Sequence, residues 1–229
     1  MRILDKRPRP LLLLLGAALS AACQWVPAAD LTVSVLDPAG HGVPGIVLIA
    51  EPQFEIKHAA HPATATATAT ATMDQRQMRF VPNILLIQTG TGVDFPNSDQ
   101  IEHQVYSFST PKPFKLSLYA GHKYPPIVFD RAGLVVVGCN IHDQMIGYIY
   151  VTDSPYFGRS DESGQWSVHD LPAGNYLLTA WHPRMQGNGG TLQMPLTVAE
   201  GAPATAAFHL AQPLKPSTEH AGDKRWADY

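Results

Sequence analysis

The chain is poor in cysteine and poor in charge. Of its 229 residues only Cys23 and Cys139 carry thiols, and charged side chains make up 15% of the sequence. The Lys and Arg total of 16 nearly balances the Asp and Glu total of 19, for a net charge of −3. Neither sign dominates, so the basic stripe that nucleic-acid binding needs is missing. A bilayer-length apolar run is missing too. The stretch from Leu11 to Ala22 is about a dozen residues, where a membrane-crossing helix needs roughly 20. Two cysteines also exclude a disulfide-stapled scaffold.

What is present is a core-forming composition, 45% apolar, enough for one or two domains. Pro and Gly number 20 and 18, which with the low charge points to a loop-rich, mostly β chain. Lys6, Arg7 and Arg9, the apolar stretch and the small residues after it form a secretory signal over residues 1–28, so the sequence predicts export to the periplasm and no membrane span. Cleavage after Ala28 and cleavage after Ala22 are both open. Lipid attachment at Cys23 is a third route, although Ser20 stands where such signals want an aliphatic residue.

If Cys23 leaves with the signal or carries lipid, Cys139 is the one thiol of an exported protein and has no internal disulfide partner. The ordinary use of such a cysteine is as a small buried hydrophobe. Its neighbours argue otherwise: Gly138-Cys139-Asn140-Ile141-His142-Asp143-Gln144-Met145 packs a thiol, an imidazole and a thioether into seven positions, a clustering with no packing rationale. Upstream, His103 opens the strand-like run His103-Gln104-Val105-Tyr106-Ser107-Phe108. Two imidazoles, a thiolate and a thioether are the donors that hold one copper ion in a trigonal plane with a long axial Met. The candidate metal ligands are therefore His103, Cys139, His142 and Met145.

Leu134-Val135-Val136-Val137-Gly138-Cys139 and Gly147-Tyr148-Ile149-Tyr150-Val151 are rich in β-branched and aromatic residues and read as two strands joined by a short loop. Cys139 then ends a rigid strand, His142 sits in the loop, Met145 lies at its far end, and Gly147 turns the chain into the next strand.

In these residues the chain resembles the small blue copper proteins, the cupredoxins, and its Cys-x2-His-x2-Met spacing is that of the short amicyanin loop. Between about Phe80 and Pro183, the runs Gln88-Thr89-Gly90, Phe95-Pro96-Asn97-Ser98, His103 to Phe108, Gly138 to Asp143 and Trp181-His182-Pro183 look like the bacterial MauL-like methylamine-utilisation cupredoxins. The resemblance implies a Greek-key β-barrel or sandwich and assigns His103 as the upstream ligand. It also makes His142 the ligand nearest the surface, with Ile141, Ile146, Tyr124 and Pro125 as an apolar docking rim. Many cupredoxins have Asn directly after the first His, hydrogen-bonded across to the Cys loop. Here that position is Gln104, which leaves open whether Gln104, Asn140 or neither remakes the tie.

Four protein donors suit both copper oxidation states and leave no open position for substrate, so the residues point to a redox carrier rather than an enzyme. The partner is then a periplasmic redox protein, or a copper donor or acceptor, with oligomeric state unspecified. A copper chaperone or store using the same ligands for Cu(I) is the alternative function. A partner-binding sandwich with a vestigial copper fold is the third. Of the remaining histidines, His41, His58, His61, His122, His169, His209 and His220 lie in turns, tails or polar stretches. His182 stands apart as a candidate cap for the copper site or second weak metal position.

Organisation along the chain suggests an all-β molecule of two modules. Leu31 to Asp37 and Gly42 to Ile49 read as a hairpin, and much later come Gly164-Gln165-Trp166 and Leu171-Pro172-Ala173-Gly174-Asn175-Tyr176. Together they resemble a transthyretin-like, or carboxypeptidase-regulatory-like, β-sandwich. Residues 30–56 and 153–211 would form that sandwich, and the cupredoxin module, 64–152, would be inserted between them. The Ala-Thr run from Ala63 to Thr72 fits an edge strand of the copper module better than a low-complexity linker. Gly187 to Gly190 and the tail, 212–229, are expected to be mobile.

Overall fold

A computed structural model describes residues 29–55 and 70–217, and the expected export signal with Cys23, most of the Ala-Thr run and the end of the tail lie outside them. All the extended elements are strands. The chain begins with β1 (Ala29–Leu36) and β2 (Val47–Pro52). It continues through β3 (Thr70–Thr72), β4 (Asp74–Arg76), β5 (Arg79–Val81), β6 (Ile84–Gln88), β7 (Gly92–Asp94) and β8 (His103–Ser107). Next come β9 (Phe114–Tyr119), β10 (Ile127–Val128), β11 (Gly133–Cys139) and β12 (His142–Thr152). The last strands are β13 (Phe157–Arg159), β14 (Gln165–Leu171), β15 (Gly174–Trp181), β16 (Thr191–Val198) and β17 (Ala204–His209). Among the described residues no helix is long and apolar enough to cross a membrane.

Among the described residues the first two strands and the last five pair only with one another, in two facing sheets ordered β14-β1-β17 and β13-β2-β15-β16. Leu31, Val33, Leu48, Leu171, Tyr176 and Phe208 are among the residues packed between them. Strands β3 to β12 form a second module, in which the five-stranded sheet β6-β12-β11-β8-β9 is joined by β10-β7-β3 and the β4–β5 hairpin. Its sheets are arranged as a sandwich rather than a closed barrel, around Phe80, Val105, Phe129, Val135, Val137 and Ile149. Thr70–Thr72, the described end of the Ala-Thr run, is a short strand parallel to β7.

Two local expectations are corrected. Leu31–Asp37 and Gly42–Ile49 do not form a hairpin: β1 pairs with β14 and β17, β2 pairs with β13 and β15, and only a bridge from Leu36 to Gly42 links the two runs. Alternation marks a one-sided strand but does not name its neighbour. Gly147 does not turn the chain. It sits within β12 opposite Val137, where an added Cβ would lie 2.9 Å from the Cβ of Phe80, so its role is close packing. Gly187 to Gly190 form a hydrogen-bonded turn, in which the Gly190 N–H bonds the Gly187 carbonyl at 2.8 Å and the His182 N–H bonds the Gly190 carbonyl at 3.1 Å.

A third apolar cluster joins the modules. Val47, Ile49, Phe157 and Trp181 of the sandwich pack on Ile84, Leu86, Leu134, Tyr148 and Tyr150 of the five-stranded sheet. Strand β2 is therefore buried on both faces, with Leu48 and Ala50 turned into its own core and Val47 and Ile49 towards the other module. The Trp181 ring lies 5.6 Å from Tyr148 and 5.4 Å from Tyr150, and the Arg159 guanidinium donates to the Ile84 carbonyl across the seam.

Candidate metal centre

Period two in the sheet decides which side chains point inwards. On β11, Val135, Val137 and Cys139 face the core while Leu134, Val136 and Gly138 face outwards. On β8 the inward set is His103, Val105 and Ser107, and on β12 it includes Met145, Ile149 and Val151. His103, Cys139 and Met145, at 0%, 3% and 2% exposure, are thus delivered to the same side of the sheet by three adjacent strands.

His142 arrives by a different device. Asn140 and Ile141 form a tight turn that pairs Cys139 with His142, whereas Gly138 pairs with Ile146. Residues 143–145 are extra on β12, an irregularity that re-aims side chains where a regular ladder would alternate them. Strand pairing thus extends to the turn, and His142 and Met145 lie on a strand rather than in an open loop.

The donor atoms converge. His103 Nδ1 lies 3.1 Å from His142 Nδ1, and Cys139 Sγ lies 3.9 Å from the first and 3.7 Å from the second. These three are the group of metal-binding side chains found together among the described residues. A point equidistant from the three atoms is about 2.1 Å from each, close to the roughly 2.0–2.3 Å of imidazole and thiolate bonds to a first-row ion. The donor set and its spacing therefore fit a copper ion. Met145 is buried in the same apolar cluster as Cys139, three residues beyond His142.

Asp99 completes the site and was not singled out from the sequence. Its Oδ2 lies 2.7 Å from His103 Nε2, the ring nitrogen turned away from the other donors. The same carboxylate accepts the Gln77 and Met78 amides at 2.5 and 2.9 Å, in the β4–β5 turn where both residues have left-handed φ of 52° and 56°. Asn97 shapes the loop that presents it, accepting the Asp99 N–H at 2.9 Å and donating to the carbonyls of Ile101 and Tyr119. Burial pushes the Asp99 carboxyl up, but the Met78 amide, His103 and the Gln77 amide outweigh it and hold the group below its ordinary value. A charged carboxylate on Nε2 fixes the proton there and leaves Nδ1 as a lone-pair donor. The signal that could have found it is a carboxylate four residues before the first His.

His142 also favours its neutral form, because burial and the nearby His103 lower its pKa while Asp99 opposes them. Among the described residues neither the Gln104 nor the Asn140 side chain makes a hydrogen bond, so no side-chain tie of that kind is seen. Asn83 instead holds the far side of the loop, donating to the Ile146 carbonyl at 2.8 Å.

His182 lies elsewhere. It follows β15 in the sandwich, and its Nδ1 accepts the Arg184 N–H at 3.1 Å, so the structure places it neither over the three converging donors nor in a metal cluster of its own. Burial, with Arg184 and Arg159 nearby, pushes its pKa down to about 4. Of the expected docking rim, Ile141 is exposed at the turn, and Tyr124 packs on Tyr119. Ile146 faces the outer side of the sheet, paired with Gly138.

No family model and no curated protein matches the chain. Among solved structures it is similar to a copper-containing nitrite reductase from Thermus scotoductus SA-01, at 28% identity over 36% of this chain and a TM-score of 0.34. That match spans 22% of the nitrite reductase chain. A reduced tryptophan-to-tyrosine variant of amicyanin is matched at 20% identity over 38% of this chain and 85% of its own, with a TM-score of 0.34. A purple cupredoxin from Nitrosopumilus maritimus is matched at 21% identity over 37% and 99%, with a TM-score of 0.32.

Proposed function

We propose that this protein is a one-electron carrier in which one copper ion would be held by His103, Cys139, His142 and Met145. The convergence of two ring nitrogens and a thiol sulfur at 3.1 to 3.9 Å carries the reading. Bound copper supplies a one-electron couple, which this donor set supports in both oxidation states with little rearrangement. The chain's own residues do the rest. Asp99 orients His103, the sheet fixes Cys139, and the burial of Cys139 and Met145 keeps water from the thiolate. With four side chains as its donors, the site would suit electron transfer rather than substrate binding.

In this reading residues 1–28 direct the chain to the periplasm and are removed. Residues 64–152 form a cupredoxin module set into a transthyretin-like sandwich, and the motifs from Gln88 to Pro183 support a place beside the MauL-like proteins. The test is an optical and electron-paramagnetic-resonance spectrum after stoichiometric copper loading. An intense thiolate charge-transfer band that disappears in Cys139→Ser supports the carrier. A protein that stays colourless and passes Cu(I) to an acceptor is a copper-handling protein instead.

A further inference from the structure

The outer face of the five-stranded sheet is apolar well beyond the part that the sandwich covers. Leu134, Tyr148 and Tyr150 lie in the seam against Val47, Ile49 and Trp181. Next to them the cover stops: Val136 is 39% exposed, Ile146 42% and Phe108 87%. The register runs a row across four strands here, Ile146–Gly138–Tyr106–Lys115, with paired side chains on one face.

Tyr106 lies on Gly138, where an added Cβ would stand 3.2 Å from its Cζ and Oη, and its ring is 5.1 Å from that of Phe108. Phe108 is held there by the next residue. Ser109 Oγ accepts the Val136 N–H at 2.9 Å, and the Ser109 carbonyl accepts the Lys112 N–H at 3.0 Å. A phenyl ring kept in water at an anchored strand end, continuous with an apolar seam, has the character of a contact residue. Gly138 immediately precedes Cys139, so the strip ends directly behind the candidate ligand.

We propose that this uncovered half of the face docks a one-electron partner protein that presents an apolar patch ringed by carboxylates. Phe108, Tyr106 and Val136 supply the apolar contacts, and Lys115 supplies the charge. Lys115 is the one charged residue of the row, while nearby Lys112 is already paired with Asp130 at 3.1 Å. The charge also argues against a second copy of this chain, since self-pairing of the strip would bring positive charge to its own kind with no carboxylate in the row to meet it. The partner's redox character rests on the carrier function proposed above, but docking itself needs no metal.

The test is an amide NMR titration of the metal-free, isotope-labelled chain with oxidised plant-type ferredoxin, a small acidic one-electron protein. Shifts at Tyr106, Phe108, Lys115 and Val136 that fade with added salt are expected. Lys115→Glu and Phe108→Ser should each weaken binding about fivefold or more at low ionic strength while keeping the thermal midpoint. Absence of binding, shifts confined to Ile141 and His142, or unchanged affinity in both variants would overturn the inference. So would self-association that Phe108→Ser abolishes, which would make the occupant a second copy. Failure here is separate from failure of the copper reading, because the titration uses no copper and the charge-transfer spectrum uses no partner.

Discussion

Each module buries a histidine, and the two have opposite surroundings. His103, in the module of strands β3 to β12, is 0% exposed with a carboxylate on one nitrogen and an imidazole and a thiol facing the other. His182, in the sandwich, is 7% exposed with a backbone amide donated to its Nδ1 and arginines nearby. Burial alone therefore does not make a histidine a ligand. A negative partner behind the ring and soft donors in front of it prepare His103 for a cation, whereas amide and guanidinium groups make His182 a neutral structural acceptor.

The largest expected effect breaks the contact between the modules. Trp181→Ala removes the ring that Tyr148 and Tyr150 share, and should cost about 3–5 kcal/mol in urea unfolding. If stability is unchanged, the seam is not a structural interface.

The next sharpens the contrast through pH. The folded pKa of His182 lies at about 4, below its ordinary 6.5, so its contribution to stability is present above about pH 6.5 and is lost as pH falls towards 4. The shift corresponds to roughly 3 kcal/mol. Thermal midpoints of the wild type should fall over that window more steeply than those of His182→Gln, and parallel curves would contradict the account of this ring.

A smaller change tests the other histidine. Asp99→Asn keeps a side chain of similar shape but removes the charge behind His103, and should weaken copper binding about 10- to 100-fold in a chelator competition. His182→Gln should leave copper affinity unchanged. Equal losses in both variants would erase the distinction between the two sites.

The candidate ligands legible in the sequence were those brought together by local spacing. Cys139, His142 and Met145 lie within seven positions, and His103 opens a recognisable strand. Asp99 was not legible, because its role depends on a loop shaped by Asn97 and on amides donated by the β4–β5 turn. The seam was hidden for a different reason. Outward residues such as Tyr148 and Tyr150 alternate like any half-exposed strand, and only the two-sided burial of β2 from Val47 to Ala50 reveals a second layer. The false hairpin at the N-terminus has the same root, since alternation gives a strand its face while long-range pairing gives it its neighbours.

X-ray absorption on the copper-loaded protein tests the central claim most directly. The geometry predicts two nitrogen donors and one short sulfur donor, at about 2.0–2.3 Å. A shell of nitrogen and oxygen alone would contradict it.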